Sequence, residues 1–137
     1  MKSLILSIAD HAYIDNATGK IYILGAFNRI SLLAGANFPI RHRLMTLVIK
    51  LASELFETGE HLLSVALADE DGNELLRINQ QFEMRPSQGG IPSEFNVLLE
   101  IRDIVFDKAG EFQFSVDVDN EPLDNTVLVV TDNHQQG

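Results

Sequence analysis

Residues 110–119 read Gly-Glu-Phe-Gln-Phe-Ser-Val-Asp-Val-Asp, and this stretch decides the fold class. Apolar and polar residues alternate along it without a break from Phe112 to Asp119. Successive side chains of a β-strand point to opposite sides of the sheet, so the pattern gives one apolar face and one polar face. Such a strand is typical of an antiparallel sheet that packs one face on a core and leaves the other in water.

Seven further segments read as short strands separated by turn signals. They are residues 3–9, 20–33, 44–51, 61–68, 74–84, 95–101 and 127–130. The acidic turn at 69–73 contains Asp-Gly and joins two of them, which predicts a β-hairpin. Gly25 interrupts the long second segment and indicates either a bulge or a close approach by another part of the chain.

The spacing of these segments predicts an all-β fold, an antiparallel two-sheet sandwich of about seven to nine strands. The arrangement is expected to be immunoglobulin-like or jelly-roll-like, with at most one short helical turn, at 53–59. A chain of 137 residues fits a single domain. We expect that domain to cover 1–131 and the polar tail at 132–137 to be disordered.

Residues 44–51 form the most continuously apolar segment. Met45, Leu47 and Ile49 fall on one face of the predicted strand, and Val48 falls on the other. A strand that is apolar on both faces is expected to be central and covered on both sides, by another element or by another subunit. A protein partner or a homo-oligomer is therefore expected.

The net charge of −10 is unevenly distributed along the chain. The first 50 residues hold six basic and two acidic residues, and the remainder holds four basic and eighteen acidic ones. The acidic bulk repels nucleic acid and anionic membranes, so neither is an expected partner. The basic cluster Arg41-His42-Arg43 also lacks the interleaved aromatic residues of a nucleic-acid site.

Cysteine is absent, which excludes disulfides and thiolate chemistry and fits a reducing compartment. The apolar run at 4–9 is shorter than the core of a signal peptide. No segment approaches the ~20 apolar residues of a membrane-spanning helix. A cytoplasmic location is therefore expected.

Motifs of common active sites are missing from the sequence. There is no phosphate-binding glycine loop, no nucleophile elbow and no zinc-binding histidine pair on a helix. The sequence therefore predicts no catalytic residue, no metal site and no cofactor. Asp10, His11 and His42 are the polar residues that distant strands could bring together at one end of the sandwich.

Acidic turns leave one metal hypothesis open. Residues 69–74 read Asp-Glu-Asp-Gly-Asn-Glu, and residues 117–124 hold four more carboxylates. Two oxygen-rich loops at the same end of a sandwich would suit Ca²⁺. Asp and Asn also favour turns by capping their own backbone, so the composition alone does not decide whether these loops bind calcium.

Several short motifs are similar to those of a known family. They are Ala9-Asp10-His11-Ala12, Gly19-Lys20-Ile21 leading to Leu24-Gly25, Phe38-Pro39, Asp69-Glu70-Asp71-Gly72, Gly110-Glu111-Phe112 and Val118-Asp119. Over roughly residues 4–130 the chain resembles a family of small uncharacterised bacterial proteins, a domain of unknown function with an expected β-sandwich. The resemblance implies no activity.

Together these observations leave the function unknown and favour a non-enzymatic binding or assembly module. One alternative is a small-ligand or metal-dependent site in the loops at one end of the sandwich, which requires Asp10, His11 and His42 to converge. Another is a phage- or virion-associated structural module.

Overall fold

The computed structural model describes residues 1–32, 36–54 and 56–132. Within these ranges there are nine β-strands and no helix, hence none long and apolar enough to cross a membrane. The strands are β1 (Lys2–Ile14), β2 (Ile21–Ala26), β3 (Arg29–Ser31), β4 (Ile40–Ala52), β5 (Gly59–Asp69), β6 (Glu74–Met84), β7 (Glu94–Phe106), β8 (Gly110–Val118) and β9 (Glu121–Thr131).

The strands form two sheets, which confirms the all-β prediction. A four-stranded sheet has the order β2-β1-β4-β7 and is antiparallel throughout. A five-stranded sheet has the order β3-β9-β8-β5-β6, and β3 runs parallel to β9. The expectation of a purely antiparallel fold is therefore wrong at β3. The immunoglobulin-like or jelly-roll-like arrangement stays a prediction.

The parallel pair arises because the predicted segment 20–33 divides between the two sheets. Phe27 N donates to Ile8 O at 2.8 Å, in the four-stranded sheet. The next residue, Asn28, accepts from Val129 N at 2.8 Å, in the five-stranded sheet. The chain thus changes sheets between these two residues and adds β3 alongside β9.

Strand β8 follows the alternation that its sequence predicts. Phe112, Phe114, Val116 and Val118 are buried, and the residues between them are exposed or half-buried. The strand lies between β5 and β9, and its apolar face joins a core to which both sheets contribute. The predicted hairpin of β5 and β6 is also present, with strands paired from Gly59 and Met84 onward.

The ends of several strands differ from the predicted segments because polar residues interrupt the apolar pattern. Strand β4 begins at Ile40, β7 continues to Phe106, and β9 begins at Glu121. Asp103, in the added part of β7, has a φ of +55° and shifts the buried positions from odd to even numbers.

Three predicted segments lie partly outside the described residues. The helical turn expected at 53–59 is represented by a single turn bond, from Glu57 N to Glu54 O at 3.1 Å, and Leu55 is not described. Residues 33–35 of the predicted strand and loop lie outside the described ranges, as do residues 133–137 of the tail.

The β1–β2 hairpin turns back over the outer face of the four-stranded sheet, the face away from the other sheet. Pairing between β1 and β4 ends at Ala9 and Thr46, and from there β1 pairs with β2 alone. Near the hairpin tip, Ile14 lines a surface depression together with Asn96 of β7. Asn96 pairs with Lys50 of β4. A straight continuation of β1 past Ala9 would run along β4 from Thr46 toward its beginning at Ile40, which is away from Lys50. The hairpin therefore reverses direction after Ala9.

We infer that this reversed hairpin covers the outer face of β4, which is buried on both faces. Met45, Leu47 and Ile49 belong to the core between the two sheets. Thr46 and Val48 point to the outer face, yet at most 1% of their surface is exposed. The predicted two-sided cover is present, and on the outer face it comes from the same chain rather than from another subunit.

The reversal occurs at Asp10 and Gly25, which lie opposite each other at the base of the hairpin. Gly25 has a φ of +69°, and a Cβ built there would lie 2.5 Å from Asp10 Oδ2 and 3.2 Å from Asp10 Cβ. Of the two sequence interpretations of Gly25, the close approach is the correct one, because the β1–β2 register continues past it without an inserted residue.

We expect Gly25→Ala to destabilise the fold more than Gly19→Ala does. Both glycines have a φ near +70°, which costs an L-residue roughly 1–2 kcal/mol, but only Gly25 has a neighbour within 4 Å. Urea unfolding measures the free energies of unfolding. The difference between the two variants should shrink when Asp10→Ala is added, and an unchanged difference would contradict the contact.

We expect Thr46→Val to stabilise the protein by up to about 1 kcal/mol. The Thr46 hydroxyl is buried with no hydrogen-bond partner among the described residues, and an isosteric apolar side chain removes that desolvation cost. The matched control is Thr131→Val, since the Thr131 hydroxyl lies 3.1 Å from that of Ser31. A loss of stability in Thr46→Val by urea unfolding would show that the hydroxyl is satisfied in solution.

Candidate functional site

A cleft opens where β1 separates from β4, and it holds two of the three residues singled out in the sequence. Its volume is about 560 Å³, and it is lined by Asp10, Arg41, His42, Arg43, Leu44 and Arg102. His11 is not part of the lining, because neighbouring residues of a strand point to opposite sides. The structure therefore brings Asp10 and His42 together and leaves His11 on the other face of the hairpin.

Charges around this cleft balance one another. Arg41 Nε lies 3.7 Å from Asp103 Oδ1, and Arg102 donates to Glu100 at 2.7 Å. Arg43 has no ion pair among the described residues. The one carboxylate that lines the cleft beside it is that of Asp10. Asp103 and Glu100 just outside the lining pair with Arg41 and Arg102, so the three guanidinium groups are matched by three carboxylates in all.

The two sequence-predicted residues in the cleft do not form an acid–base pair. Within the described part of the chain, no hydrogen bond joins the side chains of Asp10 and His42. The His42 ring is half-buried and lies 5.8 Å from the ring of Phe27, centroid to centroid. Its packing accounts for its position without a catalytic role.

Among the described residues, the closest His–carboxylate pair involves a histidine that the sequence analysis did not single out. His61 Nδ1 lies 2.6 Å from Asp119 Oδ2, and His61 Nε2 lies 2.7 Å from the main-chain oxygen of Glu57. Asp119 also accepts from Leu62 N at 2.9 Å. Asp119 raises the pKa of His61 above its usual 6.5, and the imidazole lowers the pKa of Asp119.

The contacts of this pair join separate segments of the five-stranded sheet. Both nitrogens of His61 face oxygen acceptors, so the imidazolium donates on both sides and no nitrogen is left to take a proton from a substrate. The contacts fasten the β8–β9 turn and the segment before β5 to one end of the five-stranded sheet. No motif marks this pairing in the sequence, because its members are 58 residues apart.

The two acidic turns lie apart, although Glu74 of the first segment lines one surface depression with Asp117 and Asp124 of the second, beside Arg77. Strand β5 pairs Leu63 with Val118 and Asp69 with Phe112, so the two acidic turns lie at opposite ends of that strand. The Asp69 carboxylate accepts from the main-chain nitrogens of Asp71 and Asn73 at 3.0 and 2.9 Å and so caps its own turn. Among the described residues, no group of three or more His, Asp or Glu is placed to hold a metal ion.

An exposed aromatic surface covers the outward side of the β1–β2 hairpin. Tyr13, Tyr22 and Leu24 are 47%, 42% and 53% exposed. The two tyrosine rings are stacked, with centroids 4.9 Å apart and planes at 10°. We call these three residues the hairpin face. The sequence analysis missed it, although the absence of charge from Ile21 to Ala26 was a visible signal.

The His61–Asp119 pair should make stability depend on pH. Because the pKa of His61 is raised in the folded state, its contribution to the free energy of unfolding is fully present below about pH 6.5, the usual histidine pKa. That contribution is lost as the pH rises through the pKa of His61 in the folded protein. The lowered pKa of Asp119 adds a contribution that is present above about pH 3.8 and lost on acidification.

We therefore expect the urea midpoint of the wild type to fall between pH 6 and pH 9 and that of His61→Gln to fall less. The matched control is His11→Gln, which removes an exposed histidine and should keep the wild-type pH dependence. Equal pH dependence in the wild type and His61→Gln would contradict a protonated His61 in the folded state.

Comparison with known proteins gives a family and no activity. No curated protein matches the sequence significantly. The model of a family of unknown function, DUF6941, matches residues 4–131, nearly the same span as the motifs noted in the sequence. Since this match covers most of the chain, the protein belongs to that family of unknown function.

Proposed function

We propose that the chain is a non-enzymatic binding or assembly module that holds a partner polypeptide by adding a strand to the edge of β2. The observation that carries this proposal is that β2 is an open edge strand without a charged residue. Natural proteins protect open edges with charges, proline, bulges or short strands, because unpaired main-chain groups bind other strands.

The other edge strands of the described sheets are protected. Strand β3 has three residues, one of them Arg29. Strand β6 carries Glu74, Arg77 and Glu83, and β7 carries two glutamates, Arg102 and Asp103. These two edges also adjoin each other, with the rings of Phe82 and Phe95 4.6 Å apart.

The edges that open where β1 leaves β4 are charged as well. The β1 side carries Asp10, and the β4 side carries Arg41 and Arg43. Among the nine described strands, only β2, with the sequence Ile-Tyr-Ile-Leu-Gly-Ala, combines a free edge with no charge. Its hairpin face adds apolar surface next to that edge, which supports recognition of a polypeptide rather than a small polar ligand.

The alternative of a small-ligand site has weaker support. The cleft of Asp10 and His42 has balanced charges, and His11 lies outside it.

The proposal includes a cytoplasmic location, since a cysteine-free chain fits a reducing compartment.

Selection from a phage-displayed library of random 12-residue peptides tests strand addition. We expect the wild type to enrich peptides with alternating apolar residues, and Leu24→Lys to weaken their binding at least tenfold because it places a charge at the edge. The matched control is Val105→Lys, on the protected edge β7, where 46% of Val105 is exposed.

Val105→Lys should bind the enriched peptides as the wild type does. Circular dichroism should show that both lysine variants are folded, since both replaced side chains are largely exposed. Failure to enrich any peptide, or equal binding by Leu24→Lys, would contradict the proposed function.

A further inference from the structure

We infer that the strand added to β2 is β2 of a second copy of this chain, paired antiparallel about a two-fold axis at Ile23. This inference rests on the proposed function and names its partner. It is carried by the main-chain register of the hairpin, by the side chains on the hairpin face and by the charge of the chain.

The hairpin register determines which main-chain groups of β2 are free. Asp15 N donates to Lys20 O at 2.9 Å just beyond the last ladder pair, Ile14 and Ile21, so that last pair is a non-hydrogen-bonded one. Alternation then directs the main-chain groups of Tyr22 toward β1 and those of Ile21 and Ile23 toward the open edge. A second strand must therefore bond to Ile21 and Ile23.

A two-fold axis at Ile23 satisfies this requirement with an identical strand. The free main-chain groups of Ile23 meet those of Ile23 in the second copy, as in a hydrogen-bonded antiparallel pair. In the same register, Tyr22 of each copy lies beside Leu24 of the other, on the outward side of both hairpins. The two hairpin faces thus become one continuous apolar surface, and the two-fold contact closes at two copies rather than forming a fibre.

Charge limits where two copies can meet. Each chain carries a net charge of −10, so most pairs of surfaces repel one another. Across the proposed pair no charged residue of β2 faces its symmetry mate, because residues 21–26 contain none. The same pairing at β6 or β7 would place several carboxylates of the two copies close together.

The contact is small, so the dimer should be weak. A pair of six-residue strands buries less than the ~1,600 Å² of a standard protein interface. We therefore expect a single chain at low concentration and two chains at high concentration, in place of a permanent dimer.

Sedimentation velocity of the full chain from about 1 µM to about 1 mM tests the inference. The measured mass of the wild type should rise with concentration from that of one chain, 15.3 kDa, toward twice that value. Leu24→Lys should remain at one chain over the whole range, and the control Val105→Lys should follow the wild type. Hydrogen exchange should slow at Ile21 and Ile23 at the high concentration.

A mixture of two variants tests the register itself. Leu24→Lys and Tyr22→Glu should each stay at one chain, but together they should associate, since the register sets the new lysine beside the new glutamate. Association of the wild type without rescue in the mixture would overturn the register. A wild type that stays at one chain throughout, or a dimer unaffected by Leu24→Lys, would overturn the inference as a whole.

The proposed function can survive this failure. If the wild type enriches peptides that Leu24→Lys does not bind, yet stays at one chain to about 1 mM, strand addition is supported and the second copy is excluded as its partner. If neither peptides nor a second copy bind at β2, both proposals fail.

Discussion

A central strand that buries both of its faces needs two covers, and β4 obtains them from different parts of the chain. Met45, Leu47 and Ile49 lie in the core shared with the five-stranded sheet, and we infer that the reversed β1–β2 hairpin covers the buried Thr46 and Val48 on the outer face. Because β1 is itself a neighbour of β4, it can supply the second cover only by leaving the sheet and reversing. The reversal places the hairpin on the outside of the molecule, where Tyr13, Tyr22 and Leu24 on its outer side are exposed.

Parts of this fold were predictable because they depend on local pattern. The alternation of β8 and the turn between β5 and β6 involve neighbouring residues, so the sequence alone determines them. Two-sided burial of β4 was equally visible. The identity of its outer cover was not, because that depends on a reversal at Asp10 that brings Ile14 to the same surface depression as Asn96, 82 residues away in the sequence.

The candidate residues illustrate the same division. Asp10 and His11 are adjacent on a strand, so the period of two already places them on opposite sides, and only one of them can share a cleft with His42. That conclusion needed no structure beyond the recognition that β1 continues through them. The pairing of His61 with Asp119 is different, because it depends on which strands become neighbours in the five-stranded sheet.

The charge pattern connects the reversed hairpin with the proposed partner. In a chain with twenty acidic residues, an uncharged edge of six residues is an exception that the core does not require, since Tyr22 and Leu24 point away from it. Lysine or glutamate at those two positions would protect the edge at little cost to the fold. The proposed pairing with another strand would explain their absence, because it uses both the open edge and the apolar side chains beside it.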